Sequence, residues 1–485
     1  MYRKLTLVVF GVMVAASAIY ALIDRKTVTT SSDKAYAAYL RGDEFTQKLY
    51  TQEAIAEFER AVQLDPQFAM AHARLAWLYF DTGRDDEYKQ ARDKALGLID
   101  KVRELEKIRI NLGFARSEKR PEDLEKYANE LIEKYPNSLE AHIYRSGKYW
   151  GERNTDAAIE ENLKILNIEP GYALAHNMLG YLYFEKGEFD KALESINRYA
   201  AMAVDQANPH DSYGEILSWL GRYDEALQQF QMADSIKPNL DFVMGHMGTV
   251  YFNKGMYRDA LGALFKAREV AVGAGRKLEF ELGIADCYLF SERYDDARRF
   301  LEENIVGNPD VPSLHLRLGL LYAWTGESDK ALIELGIMKG ISAKRTSQSQ
   351  AAANSKDRLA IEIALMEGEI AASKGNFKSA VESFESISSS IEFASRPFVN
   401  YRLGTIYLKW RKPEKAIEIL TNGLKDNPNH PLTLITLATA FGTAGQNDAK
   451  AEVLRRLLTV YRDADEDFAP HVKARLEMAR LNQLG

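Results

Sequence analysis

The sequence predicts an all-α solenoid of stacked helix-turn-helix units, and three observations carry that prediction. Small residues recur at a fixed interval: Ala158, Ala192, Ala226 and Ala260 stand 34 residues apart. The segments around them hold paired runs of roughly 12–14 residues with apolar positions at helical spacing. Almost nothing alternates with the period of a strand. Composition agrees, since 46% hydrophobic and 27% charged residues over 485 positions can build a large core and do not describe a disordered chain. A net charge of −7 argues against a general nucleic-acid binder, which needs a basic stripe. The single cysteine, Cys287, excludes an intramolecular disulfide framework, a four-thiolate zinc site and an iron–sulfur cluster held by the chain's own thiolates.

The elements follow in chain order. Residues 1–4 are a short cytoplasmic start carrying Arg3 and Lys4. Leu5–Ile23 holds no charge, and its 19 residues reach about 30 Å as a helix, the thickness of a bilayer's hydrocarbon core. The flanking charge keeps the N-terminus in the cytoplasm and exports the rest. Residues 5–23 are therefore expected to be a transmembrane anchor. The competing reading is a cleavable signal, with Leu5–Val14 as its apolar stretch and Ala16-Ser17-Ala18 as its cleavage site. A buried soluble helix is the third. Residues 24–34, including TVTTSSD at Thr27–Asp33, read as a polar tether.

Residues 35–339 carry the first array. The alanine series opens at Ala54 and resumes at Ala297, Ala331, Ala380 and Ala416. A second small residue lies upstream of most of these: Gly180, Gly214, Gly248, Ala285, Gly319, Gly368 and Gly404. Small residues on both helices let an antiparallel pair cross closely. Short turns such as Lys186-Gly187-Glu188 join the two helices, and prolines such as Pro170 and Pro238 end the second one. A lone hairpin cannot bury its apolar face, so units must stack. Gly83–Pro136 fits poorly, because Leu112 stands where the first small residue belongs. At residues 340–357 (GISAKRTSQSQAAANSKD) the alanine interval jumps from 34 to 49, which predicts an inserted loop or hinge. A smaller array occupies 358–461. Residues 462–485 read as a capping helix with Pro470 in its first turn.

This pattern resembles the tetratricopeptide repeat (TPR), a 34-residue unit with small residues at its eighth and twentieth positions, Tyr at the eleventh and Pro at the thirty-second. The likeness covers about Ala35 to Tyr461, roughly eleven or twelve units, and is similar to bacterial membrane-anchored or exported multi-TPR proteins. It implies a right-handed superhelix whose concave groove is lined from positions two, five, nine, twelve and thirteen. On that implication the partner-binding groove comprises Trp77, Trp150, Asn177, Tyr181, Phe184, Asp211, Glu215, Trp219, Phe252, Asn253, Phe290 and Trp324. Large aromatics are the residue types that anchor partners. The acidic and amide residues among them suit an apolar peptide with basic positions. The Lys/Asn/Arg arrangement that holds a C-terminal carboxylate in some TPR proteins is not found.

No phosphate loop, HExxH, GxSxG or GxGxxG motif stands at a strand-to-helix junction. His72, His142, His176, His210 and His315 share the fourth position of their units. Equivalent atoms of neighbouring units lie some 8–10 Å apart, too far for a shared metal at about 2 Å, so these imidazoles are expected to pack between helices. Asp295 and Asp296 open a helix and favour its dipole. Cys287 has no basic neighbour to activate it. No cofactor or metal is expected.

The expected function is a non-catalytic scaffold or adaptor at the cell envelope that captures other proteins or peptides in its groove. The alternative is an accessory or assembly subunit of a membrane complex for secretion, polysaccharide export or respiration. Its N-terminal helix would pack within that complex. The expected location is the bacterial inner membrane, single-pass, with the array in the periplasm, or an exported soluble protein after signal cleavage.

Overall fold

The computed structural model describes residues 28–348, 353–388, 396–425 and 427–484. The expected anchor at 5–23 lies outside them. Among the described residues no helix is long and apolar enough to cross a membrane.

The described chain is all α, with helices paired as consecutive antiparallel hairpins. The first pairs are α1 (Asp33–Gln47) with α2 (Thr51–Leu64), and α3 (Ala69–Asp81) with α4 (Asp85–Gly97). A 3-10 turn at Ile99–Lys101 precedes α5 (Glu104–Ser117) and α6 (Pro121–Lys134). Then come α7 (Leu139–Gly151), α8 (Thr155–Ile168), α9 (Ala173–Glu185), α10 (Phe189–Met202), α11 (Ala207–Trp219) and α12 (Tyr223–Ile236). They are followed by α13 (Asp241–Asn253), α14 (Tyr257–Val270), α15 (Ala274–Phe290), α16 (Tyr294–Gly307), α17 (Pro312–Trp324) and α18 (Ser328–Gln348). The last are α19 (Ala353–Ser373), α20 (Phe377–Ser388), α21 (Arg396–Lys409), α22 (Pro413–Gly423), α23 (Pro431–Thr443), α24 (Asn447–Val460) and α25 (Ala469–Leu484).

One rule builds half of the hairpins among the described residues. The glycine of the first helix faces a large residue 16 positions later on the second, as in Gly42 with Phe58, Gly180 with Ile196, Gly214 with Phe230, Gly248 with Leu264, Gly368 with Phe384 and Gly404 with Leu420. A Cβ at Gly214 would lie 2.6 Å from the Phe230 ring, so the crossing is set by the missing side chain. In the irregular unit the tight contact moves one residue on. Gly113, next to Leu112, lies under the Trp77 ring and so joins α5 to the preceding hairpin.

The expected loop at 340–357 is mostly helix. Helix α18 continues to Gln348 and α19 begins at Ala353, so each runs to 21 residues. The physical reason is that no Gly or Pro interrupts 341–357, and Ala, Lys, Arg and Gln sustain a helix well. The expected tether is also partly fixed. Val28 is buried, the Thr29 amide donates to Glu106 Oε2 at 2.8 Å, and the Thr30 hydroxyl donates to Asp65 Oδ2 at 2.6 Å. Ser32 then caps α1 by accepting from the Ala35 amide.

Contacts are not confined to neighbouring units, because the superhelix brings its turns together. Lys48 reaches Asp205, and Lys237 reaches Glu53 across a separation of 184 residues. Farther along, the Asn429 side-chain amide donates to the Gly221 carbonyl at 3.0 Å, and the Asp465 amide donates to the Gly255 carbonyl at 3.1 Å. Lys254, buried between Asp224 and Asp463, and Arg258, on Asp465 and Asp467, complete this second seam. Gly221 and Gly255 both adopt positive φ, and a Cβ on Gly255 would meet Ala464 and Phe468. Lys254→Ala should therefore speed amide exchange across 461–484 roughly five- to tenfold, while the first hairpins stay unchanged. Unaltered exchange there would show that the seam carries no load.

Candidate partner-binding face and cavity

The unit-fourth histidines pack as expected. Their Nδ1 meets the second helix 19 residues on, in His142 with Glu161 (2.6 Å), His210 with Gln229 (2.9 Å) and His315 with Glu334 (2.6 Å). His72 and His315 also place Nε2 on the carbonyl of the preceding unit's proline, Pro66 and Pro309. Cys287 is buried, and desolvation pushes its thiol pKa far up.

The predicted groove residues fall into two groups. Asn177, Tyr181, Phe184, Asp211 and Glu215 are buried, so at these positions the face is not an open lining. Repeat position alone made them look accessible, but the coiling of the array closes over them. Leu49, at positive φ in the α1–α2 turn, packs against the cluster that holds Tyr181 and Phe184. The Tyr181 hydroxyl donates to Glu215 Oε2 at 2.8 Å, and the Trp219 ring lies tilted at 4.9 Å from Phe184 and 5.7 Å from Tyr181.

The second group is half-buried: Trp77, Trp150, Trp219, Phe252, Asn253, Phe290 and Trp324. Trp150 donates its indole N–H to Glu185 at 2.9 Å. Trp324 donates to Glu369 at 3.0 Å, lies 5.5 Å from Phe290, and carries the Arg402 guanidinium 4.5 Å from its ring. These rings are held in place by polar partners while one side stays reachable, which is how a rigid aromatic anchor is made.

Between the first hairpins and the units at Asp211–Arg276 lies a cavity of about 390 Å³, within the size range of ligand sites. One wall is the α1–α2 turn with Tyr50, and Trp77 and Asp81 from α3. The other is Asp211 from α11, the Lys237–Phe242 linker, His246 from α13 and Arg276 from α15. The repeat positions place Trp77 and Asp211 on the inner face but do not mark Tyr50, Phe242, His246 and Arg276. Those come from distant units and meet only through superhelical curvature.

The cavity's electrostatics have clear causes. Burial opposes charge on His246, but Asp211 (2.9 Å) and Glu215 outweigh it and raise its pKa to about 9. Solvent reaches Asp81, yet protein surrounds it and lifts its pKa to about 6, with the Arg116 guanidinium only partly offsetting this. A histidine raised from 6.5 stabilises the fold below pH 6.5, and that stabilisation is lost as the pH climbs through 9. The free energy of unfolding from pH 6 to 10 should therefore fall more steeply in the parent than in His246→Gln, the difference being at most about a few kcal/mol. Parallel curves would refute the coupling.

Regular helical hairpins on a 34-residue spacing define a helical-repeat protein. The tetratricopeptide repeat family matches at residues 39–87 and 152–211, and again at 399–430. The chain thus carries tetratricopeptide repeats at those positions. It is similar to a BBSome complex member BBS4 homolog of Drosophila melanogaster, 27% identical over 31% of this chain and 34% of that protein. It is also similar to anaphase-promoting complex subunit 3 of Schizosaccharomyces pombe, 23% identical over 45% and 32%. Human protein O-mannosyl-transferase TMTC1 is 26% identical over 38% of this chain and 21% of that protein. The chain thus spans about a third or less of the length of these three relatives. Among solved structures, Pseudomonas aeruginosa pilF aligns at 21% identity over 45% of this chain and 97% of that one, with a TM-score of 0.34.

Proposed function

We propose that the chain is a non-catalytic scaffold at the cell envelope, tethered by residues 5–23 in a bacterial inner membrane with its array in the periplasm. If the segment is cleaved as a signal, the same array is an exported soluble protein. The observation that carries the reading is the set of half-buried, polar-braced aromatics on the inner side of a continuous repeat array, with Trp150 and Trp324 as its clearest members. Such rings offer large apolar contact at little conformational cost, and acidic neighbours select against negative partners. A second reading, an assembly subunit of a membrane complex, is supported by the similarity to the BBSome member and the anaphase-promoting complex subunit, both members of complexes.

The test is site-specific photo-crosslinking in cells, with the full chain carrying the probe at Asn253 or Trp324 on the inner side, or at exposed Glu194. The inner positions should trap one common protein that Glu194 does not. Equal trapping from Glu194 would refute capture on the inner side. Exchanging residues 5–23 for an unrelated anchor separates the two readings: a scaffold keeps its crosslink, whereas a subunit packed through that helix leaves its complex.

A further inference from the structure

The residues ahead of α1 lie against the array, and one buried carboxylate holds them there. Val28 packs into the core cluster that contains Tyr39, Phe68 and Leu98. Beside it, the Thr29 amide donates to Glu106 Oε2 at 2.8 Å. Glu106 is fully buried, and its Oε1 has no hydrogen-bond partner among the described residues. A carboxylate out of water with one oxygen unpaired favours its neutral form. Burial accordingly raises the Glu106 pKa from 4.5 to about 7, and Thr29, Arg109 and Arg103 oppose this only in part. The surrounding charges come from five elements. Arg103 and Arg109 belong to the start of α5 and to α5 itself, and Arg109 pairs with Glu140 of α7. Arg74 of α3 holds Asp43 of α1, whose own carboxyl is raised to about 6 by burial. Asp65, between α2 and α3, accepts from the Thr30 hydroxyl at 2.6 Å.

We propose that residues 28–31 form a proton-controlled strap, closed on the array when Glu106 carries a proton and opened when it loses it. The strap covers the carboxylate it is bonded to, so closing it removes Glu106 from water and opening it restores water. The sign follows from linkage. With the strap open, Glu106 returns to the ordinary carboxylate range. A carboxyl raised in the closed state favours closure fully below about pH 4.5, and that preference is lost as the pH climbs through about 7. The neutral carboxyl still accepts from the Thr29 amide, so protonation keeps the bond and removes the buried charge. Four extended residues span about 14 Å. On the reading that residues 5–23 anchor the chain, opening therefore lengthens the tether by that reach. The strap itself does not depend on that reading.

Hydrogen exchange of the full-length chain tests this, with each rate divided by the intrinsic amide rate at the same pH. Protection of residues 28–31 should be about tenfold lower at pH 8 than at pH 6. Glu106→Gln, which is neutral and still offers an acceptor, should stay protected and lose the pH dependence. Glu106→Ala should be unprotected at both pH values. Amides of α2, at 51–64, should keep their protection in all three proteins, which separates strap opening from loss of the fold. Equal parent protection at pH 6 and pH 8 would overturn the proposal. The parent's slope persisting in Glu106→Gln would also overturn it and assign the titration to Asp43. Protection surviving in Glu106→Ala, or absent from Glu106→Gln, would show that this carboxyl does not hold the strap. The crosslinking test above does not bear on these outcomes, so the two claims fall separately.

Discussion

Gly214→Leu is expected to destabilise the middle of the array by about 3 kcal/mol, the upper part of the usual range for forcing atoms into a packed crossing. The cause is local. Gly214 on α11 lies beneath the Phe230 ring of α12, and even a Cβ would stand 2.6 Å from it. Phe230 is fully buried, so the ring cannot swing into solvent. Phe230→Ala alone should cost roughly 3–5 kcal/mol through the cavity it leaves. The informative variant combines both. A leucine at 214 partly fills the space that Phe230 vacates, so the double substitution should cost at least about 1 kcal/mol less than the sum. Denaturant unfolding followed by circular dichroism measures the totals, and hydrogen exchange at 207–236 shows where the loss falls. Strict additivity would mean that something other than this crossing requires the glycine.

The second large effect concerns Glu369 and Arg402. The guanidinium donates two hydrogen bonds of 2.6 Å to the carboxylate, and both side chains are almost wholly buried. Glu369→Ala strands a buried cation and should cost about 3–5 kcal/mol. Replacing both residues with methionine removes both desolvation penalties and should recover most of that loss. Recovery should stop short of complete, because the Trp324 indole N–H loses its acceptor as well. Thermal melts of the three variants decide the matter. A double variant as unstable as Glu369→Ala would show that the pair contributes more than mutual neutralisation.

Features that repeat within one unit were legible in the sequence. The glycine-to-large-residue rule acts over 16 positions, and the histidine bonds act over 19. Such short spans leave their mark in the spacing of residue types. Polarity misled at 341–348 and 353–357, where a serine- and alanine-rich stretch suggests a loop but holds no Gly or Pro to break a helix. The inner face was harder. Tyr181 holds a groove position within its own unit, yet Leu49 approaches it from a distant unit. The angle between successive hairpins decides which turns meet, and that angle accumulates over many units from small packing differences. No single residue spells it out. One local sign does exist: the α1–α2 turn carries Leu49 where the other hairpin turns carry glycine or a charged residue, and exposed turns rarely retain such an apolar residue.

The seams between coils bear on how the molecule responds to being pulled. A solenoid whose hairpins touch only their neighbours stretches elastically, each interface yielding by a small angle. Here Lys237 with Glu53, and Lys254 with Asp463, tie residues 184 and 209 apart. Elongation must first shear those ties, so tension applied to the ends meets a stiff tube before it meets a compliant spring. In a force–extension trace this would register as an early, salt-dependent rupture preceding the gradual peeling of individual hairpins.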